Sequence, residues 1–216
     1  MVRVHLVRHG EVENPAHVTY GRLPGFGLSE RGRRQARRAA AWLAGELGAR
    51  VALVSSPLER ARETAGMVAE ALAARGGTEA PRLRLDAGLV EAGSWREGLP
   101  RRWAPRAYLA AALDARARAR KEHPRAVAAR MRRALLAALA AEPDLEDLVC
   151  VSHQQPIWMA RVAFEHGLAG PEEPLAVRLM PWLFVRGRCT PASVTTLVLE
   201  RGALRHTSYW EPGREP

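Results

Sequence analysis

At "HLVRHGEVEN" the chain leaves a short apolar run and at once sets Arg8 beside His9, with Gly10 to turn the backbone away. An arginine and a histidine side by side repel each other when both are charged. They make sense around something strongly anionic. Two residues of the same chemistry lie far off in the chain, Arg60 in "SSPLERARETA" and His153 in "DLVCVSHQQPI". A guanidinium is a planar fork of donors matched to phosphate oxygens, and an imidazole adds one more donor. If Arg8, His9, Arg60 and His153 share one edge of the fold, they form a pocket for a phosphate dianion.

The elements around them send them to one edge. "VRVHLV" (Val2 to Val7) reads as a buried strand, and Arg8-His9 stands at its C-terminal end. Ser29 can cap a helix through about Leu47, and "VALVSS" (Val51 to Ser56) is the next strand. Ser56-Pro57-Leu58-Glu59 carries a capping box with proline at the first helical position, which places Arg60 in the first turn of a helix running to about Ala74. "RLRLD" is a further strand. Two helices follow, about Pro105 to Glu122 and Pro124 to Ala141. "LVCVSH" is a strand that ends on His153, Pro156 opens another helix, and two strands meet about Arg201-Gly202. Strands alternating with helices predict an α/β fold, a mostly parallel sheet with helices on both faces. In such sheets ligands bind outside the carboxyl ends of the strands, where helix N-termini also point.

Composition bounds the remaining readings. A chain of 216 residues, 47% apolar and 26% charged, predicts one globular domain over residues 1–210, with a helical insertion at about 99–141 and a short tail at 211–216. Cys150 and Cys189 show no metal spacing, and Cys150 lies in an apolar run, so a buried reduced thiol is expected there. The N-terminus reads straight into a strand and no apolar run reaches membrane-spanning length, so a soluble cytoplasmic protein is expected. The net charge of +10 raises the question of a nucleic-acid partner. Lys121 is the only lysine, however, and the run "RGRRQARR" lies in a helical pattern with Ala36, Ala39, Ala40 and Leu43 on its inner side. It reads as a solvated helix face, and nucleic acid is not the expected partner. His5 reads as a core histidine, since no third ligand follows at useful spacing. His123 and His166 read as helix caps and Trp42 as core.

"LVRHGE", "SSPLERARETA", "LVEAGSWREG" and "VSHQQPI", in that order and spacing, resemble the histidine phosphatase superfamily, the phosphoglycerate mutase-like group of branch 1, from Val2 to about Tyr209. The resemblance implies a three-layer α/β/α sandwich and phosphoryl transfer through a phosphohistidine. By the family's pattern His9 is the nucleophile, its other ring nitrogen donating to a carbonyl near the Gly10 turn. Arg8 and Arg60 hold the phosphoryl oxygens with bidentate forks and His153, if protonated, adds one more charged donor, doing the work magnesium does in kinases, so neither metal nor cofactor is implied. Glu91 matches the family's acid and should have a raised pKa; Glu97 is the competing carboxylate in the same loop.

Several segments depart from the family pattern. Asn14 arrives one residue early in "RHGEVENP", "SHQQ" replaces the common "SHGG", and the usual "GES" element before the late helix is missing. Gly10, Asn14, Tyr20, Gly21, Arg22 and Gln154 are the expected substrate-binding residues. Arg101-Arg102 lacks the surroundings of the paired arginines that mutases use. A mutase must exclude water from its phosphohistidine and a phosphatase must admit it. The expected function is therefore a phosphomonoesterase on a small phosphorylated metabolite. A cofactor-dependent phosphoglycerate mutase is the runner-up, and a non-catalytic phosphate- or nucleic-acid-binding protein is the alternative of another class. Loops at about 15–28, 99–129 and 170–191, carrying Trp103, Trp182 and Phe184, with Trp95 beside them, are expected to cover the pocket. The sequence leaves the oligomeric state open.

Overall fold

In the strands apolar side chains alternate, and the alternation divides two cores. The computed structural model describes residues 1–75, 81–102, 104–167 and 188–213. The expected covering residues Trp103, Trp182 and Phe184 lie outside that set. Six strands form one sheet in the order β3-β2-β4-β1-β5-β6: β1 (Val2–Arg8), β2 (Val51–Ser55), β3 (Leu83–Leu85), β4 (Asp147–Ser152), β5 (Val194–Glu200) and β6 (Ala203–Trp210). β1, β2, β3 and β4 pair in parallel, while β5 and β6 are antiparallel additions at one side. The mostly parallel sheet covered on both faces is therefore observed, with an antiparallel hairpin about Arg201-Gly202 closing it.

On one face Leu6, Val54, Leu148 and Cys150 meet α5 (Pro124–Ala141) and α6 (Gln154–Glu165). On the other, Val7, Leu53, Val149 and Val151 meet α1 (Glu30–Glu46) and α2 (Glu59–Ala74). Burying each such Leu or Val contributes roughly 1.5–3 kcal/mol. α1 forms as expected: the Ser29 hydroxyl accepts from Gly32 N at 3.0 Å, and the buried positions are Gly32, Ala36, Ala39, Ala40 and Leu43. The arginine-rich run lies on its outer side, where Arg33 pairs with Glu30 and Glu63 and Arg31 with Glu11. Trp42 packs on this core and stacks on Trp210, ring centroids 4.7 Å apart. His123 caps α5, its Nδ1 accepting from Arg125 N at 3.3 Å.

Some boundaries fall elsewhere than the sequence suggests. The helix expected from Pro105 to Glu122 breaks at Asp114 into α3 (Pro105–Leu113) and α4 (Ala115–Ala119), because the Asp114 carboxylate accepts from Arg116 N at 2.8 Å and starts a new helix. α2 begins at Glu59, later than the expected cap at Ser56: its N-cap residue Leu58 makes no side-chain cap bond, and the Ser56 hydroxyl accepts from Leu58 N rather than from the helix itself. α6 starts at Gln154, two residues before Pro156.

His5 is a core histidine. Its Nδ1 contacts Thr196 Oγ1 at 3.0 Å and its Nε2 lies 2.9 Å from Asp147 Oδ1. Asp147 is fully buried and also accepts from Arg3 at 2.6 and 2.7 Å and from Gly48 N at 2.7 Å. Burial opposes its charge, yet the hydrogen bonds from His5, Arg3 and Gly48 prevail and hold its pKa at about 2. A depressed carboxylate contributes stability that is fully present above its unfolded pKa and lost as pH falls through the folded one. Asp147→Asn is therefore expected to lose roughly 2–4 kcal/mol at pH 7, and less toward pH 2, in urea melts followed across that range. Equal losses at both pH values would rule out a charged role.

Candidate active site

Arg8, His9 and His153 reach the same edge because β1 and β4 are parallel neighbours: Arg8 pairs with Ser152, and His9 N donates to Ser152 O at 3.1 Å. β2 lies on the other side of β4 and delivers α2, with Arg60 as its second residue. Each strand stops where its ligand-facing residue begins. At Gly10 the chain passes so close to Gly32 of α1 that a Cβ would collide with the Gly32 carbonyl, and Gly10 N donates to Thr64 Oγ1 at 3.2 Å.

His9 is buried and held at both ring nitrogens. Nδ1 lies 2.7 Å from Gly10 O, the contact expected from the turn, and Arg60 Nε donates to Nε2 at 3.3 Å. The two contacts assign one tautomer: Nδ1 carries the proton and Nε2 keeps its lone pair. Burial, then Arg60 and Arg8, push the His9 pKa well below the usual range, so the ring is neutral at pH 7. The His153 ring stands 5.1 Å from it, centroid to centroid. His153 Nε2 contacts Ser56 Oγ at 2.8 Å, while its buried Nδ1 has no partner among the described residues. Ser56 Oγ also accepts from Leu58 N at 3.3 Å, so the residue expected to cap a helix turns the chain into α2 and fixes a site histidine as well. Burial, then His9 and the arginines, drive the His153 pKa down as well. It is neutral beside these cations, and only an added anion would draw it toward the charged donor that the sequence suggested.

Arg60 is 1% exposed, donates to Gly21 O at 2.6 Å and lies 4.8 Å from the Tyr20 ring centre. Arg8 donates to Cys189 O at 2.5 Å, and its Nε has no partner among the described residues. Arg8 and Tyr20 line two adjoining clefts of about 540 and 410 Å³, one holding Glu91 and Gln154, the other His9, Gly10 and Asn14. Glu91 Oε1 accepts from Ala92 N at 2.8 Å. Burial raises its pKa, against the pull of the Ala92 N–H and of Arg60, Arg8 and Arg130.

The other expected residues take different places. Asn14 lies in the wall beside His9, but its amide is committed to Val18, donating to the carbonyl at 2.9 Å and accepting from the N–H at 3.1 Å. Arg22 is absent from both cleft walls; it braces the acid loop, donating to Glu91 O and to Glu122 Oε2 at 2.6 Å each. Arg130 holds the same two partners from α5. Glu97, the competing carboxylate, accepts from Arg22 N at 2.9 Å and supports the Gly21 turn. Sequence reasoning assigned no role to Arg101, Gln155 or Trp158 in the cleft. For Trp158 a signal existed, since it lies four residues after Gln154 on the same face of α6.

Six-stranded sheet, strand-end histidines and arginine forks together define a phosphate-handling α/β protein. The model for the histidine phosphatase superfamily (branch 1) matches residues 4–174, and the chain belongs to that family. It is 37% identical over 220 aligned residues to Uncharacterized protein Rv0525 of Mycobacterium tuberculosis, covering 97% of this chain and 96% of that one. Among solved structures it is similar to the mycobacterial glucosyl-3-phosphoglycerate phosphatase Rv2419c in complex with VO3, at 28% identity and a TM-score of 0.72, covering 99% of this chain and 100% of that one. Phosphoserine phosphatase of Entamoeba histolytica in complex with 3-phosphoglyceric acid shares the fold, with a TM-score of 0.67 at 21% identity over 99% and 98% of the two chains. Among the described residues no helix is long and apolar enough to cross a membrane.

Proposed function

We propose that the protein is a phosphomonoesterase that works through a phosphohistidine at His9 on a small phosphorylated metabolite. The observation that carries this is the state of His9: a neutral ring, locked in one tautomer, with its lone pair turned toward the Arg60 guanidinium. Such a nitrogen attacks phosphorus while the forks of Arg60 and Arg8 and the free Nδ1 of His153 hold the phosphoryl oxygens. Arg60 then exchanges its contact with Nε2 for one with a phosphoryl oxygen. As the N–P bond forms, the P–O bond to the leaving alcohol breaks and the Glu91 carboxyl gives that oxygen its proton. Glu91, now a carboxylate, takes a proton from water as the water oxygen attacks phosphorus. The N–P bond breaks, and phosphate leaves with His9 neutral again.

The solved phosphatase at 28% identity over nearly both whole chains supports hydrolysis over the mutase alternative. The pairing of Arg31 and Arg33 with glutamates on their own chain weighs against a nucleic-acid face. The test is turnover of p-nitrophenyl phosphate by purified protein with EDTA present, together with trapping of a phosphoprotein. Turnover without added metal and an acid-labile, alkali-stable phosphoenzyme are expected. An acid-stable adduct would place the phosphoryl group on another kind of side chain and overturn the reading.

A further inference from the structure

The loop that carries the acid is held at a junction of charges centred on Glu122, between α4 and α5. Arg22, in the loop before α1, donates from Nε to Glu91 O and from Nη2 to Glu122 Oε2, at 2.6 Å each. Arg130 of α5 donates from Nε to Glu122 Oε1 at 2.8 Å and from Nη2 to Oε2 at 3.1 Å. Its fork also reaches Gly88 O at 2.6 Å and Glu91 O at 3.3 Å. The Glu122 main chain lies directly against the same loop. Glu122 N donates to Gly93 O at 3.0 Å, Oε2 accepts from Gly93 N at 3.3 Å, and a Cβ at Gly93 would collide with the Arg120 carbonyl. Next to Arg22 stands Gly21, whose carbonyl accepts from Arg60. Two adjacent residues therefore index the phosphoryl-holding fork to the acid loop.

The other charges about Glu91 are one-sided. Arg8 at the end of β1, Arg60 in α2 and Arg130 in α5 all favour its carboxylate form, and Arg96 and Arg101 stand in the same cleft wall. His9 and His153 are neutral, burial keeps the Cys189 thiol protonated, and Glu97 is turned to Arg22 N. An acid must keep its proton until the leaving group takes it. Glu122 sets negative charge against two of the cations that touch the loop. Burial opposes that charge, but the hydrogen bonds from Arg130 and Gly93 and the nearby Arg22 prevail, so it is a carboxylate at neutral pH. The Arg130 and Glu122 side chains are only 16% and 18% exposed, so water screens the pair little.

We propose that Glu122 is a positioning residue: by pairing Arg22 and Arg130 it fixes the acid loop and keeps their charge from drawing the proton off Glu91. This rests on the phosphatase reading of the same site and adds a residue, outside both cleft walls, that sets the working pH of its acid. The test is the pH profile of kcat/KM for glycerol 3-phosphate. Glu122→Gln uncovers two guanidiniums, which favour the Glu91 carboxylate, so the alkaline limb is expected to move to lower pH by roughly 0.5–1 unit. Arg22→Gln removes one cation and leaves Glu122 charged, so the limb should move to higher pH. Glu122→Asp keeps the charge and should restore the wild-type limb. A merely structural role lowers rates without opposite displacements. A limb that stays put in both glutamine variants, or moves the same way in both, overturns the proposal. Should Glu122→Gln fail to fold in thermal melts, Arg22→Gln decides alone: movement to higher pH upholds the proposal, and movement to lower pH or none sinks it. Failure of the phosphatase reading is recognised separately, by wild-type protein that leaves p-nitrophenyl phosphate intact. In that case the carboxyl-carbon NMR resonance of Glu91, assigned by its absence from Glu91→Gln, is titrated in the same variants. Opposite displacements of its midpoint uphold the role of Glu122, and unmoved midpoints sink it.

Discussion

Replacing His9 with alanine is expected to lower phosphomonoester turnover by about 10⁴-fold or more and to abolish the phosphoenzyme, the largest effect of any single change in this site. The size follows from what is removed. Arg8, Arg60 and His153 still gather the phosphoryl oxygens, but the atom that forms the covalent bond is gone, and water must attack a substrate for which the site offers no placed nucleophile. The variant should bind phosphate no more weakly than the parent, since the anion-holding groups stay and the cavity is small. Thermal melts establish that it folds. A His9→Ala protein that still accumulates acid-labile phosphate would put the nucleophile elsewhere, with His153, its ring 5.1 Å from that of His9, the first residue to replace next.

Glu91→Gln is expected to separate substrates by leaving group. An alkoxide cannot depart without a proton, so kcat/KM for an alkyl phosphate should fall roughly 10²–10⁴-fold. The ester of p-nitrophenol, whose anion leaves unaided, should lose far less in the phosphorylation step. The pH dependence has a definite sign. Burial raises the Glu91 pKa, so the protonated acid persists to higher pH than an ordinary carboxyl would allow and then declines as pH rises through that value. Burial and the arginines depress the His9 pKa, so the nucleophile stays neutral well below the usual histidine range and is lost only as pH falls through its lowered value. Activity toward alkyl phosphates should therefore be highest between these two limits, and Glu91→Gln should remove the limb on the alkaline side. Equal losses for both classes of ester would remove Glu91 from the proton transfer and turn attention to the way Arg22 and Arg130 hold its loop.

Much of this was legible in the chain. The strands were legible: β1, β2 and β4, buried on both faces, read as short apolar runs, β3 as the alternating "RLRLD", and β5 and β6 as a hairpin whose turn at Arg201-Gly202 carries its own chemistry. The convergence of Arg8, His9, Arg60 and His153 was legible too, since parallel strands present their C-terminal ends on one side of a sheet. Local signals failed where a side chain had two possible partners. Ser56 has the spacing of a cap yet holds His153 from across β4, and Asp114 interrupts a helix that composition alone would have continued.

The sequence by itself determined the sheet, its functional edge and the chemical identity of the cluster, because these follow from residue types repeating along one chain. Only the tertiary structure decided the tautomer of His9, the neutrality of His153, the withdrawal of Arg22 and of Asn14's amide into bracing, and the exposure of Arg101 at the cleft. Each of these depends on which groups from distant segments end up within hydrogen-bonding distance and out of water, a property of packing that no spacing along the chain encodes.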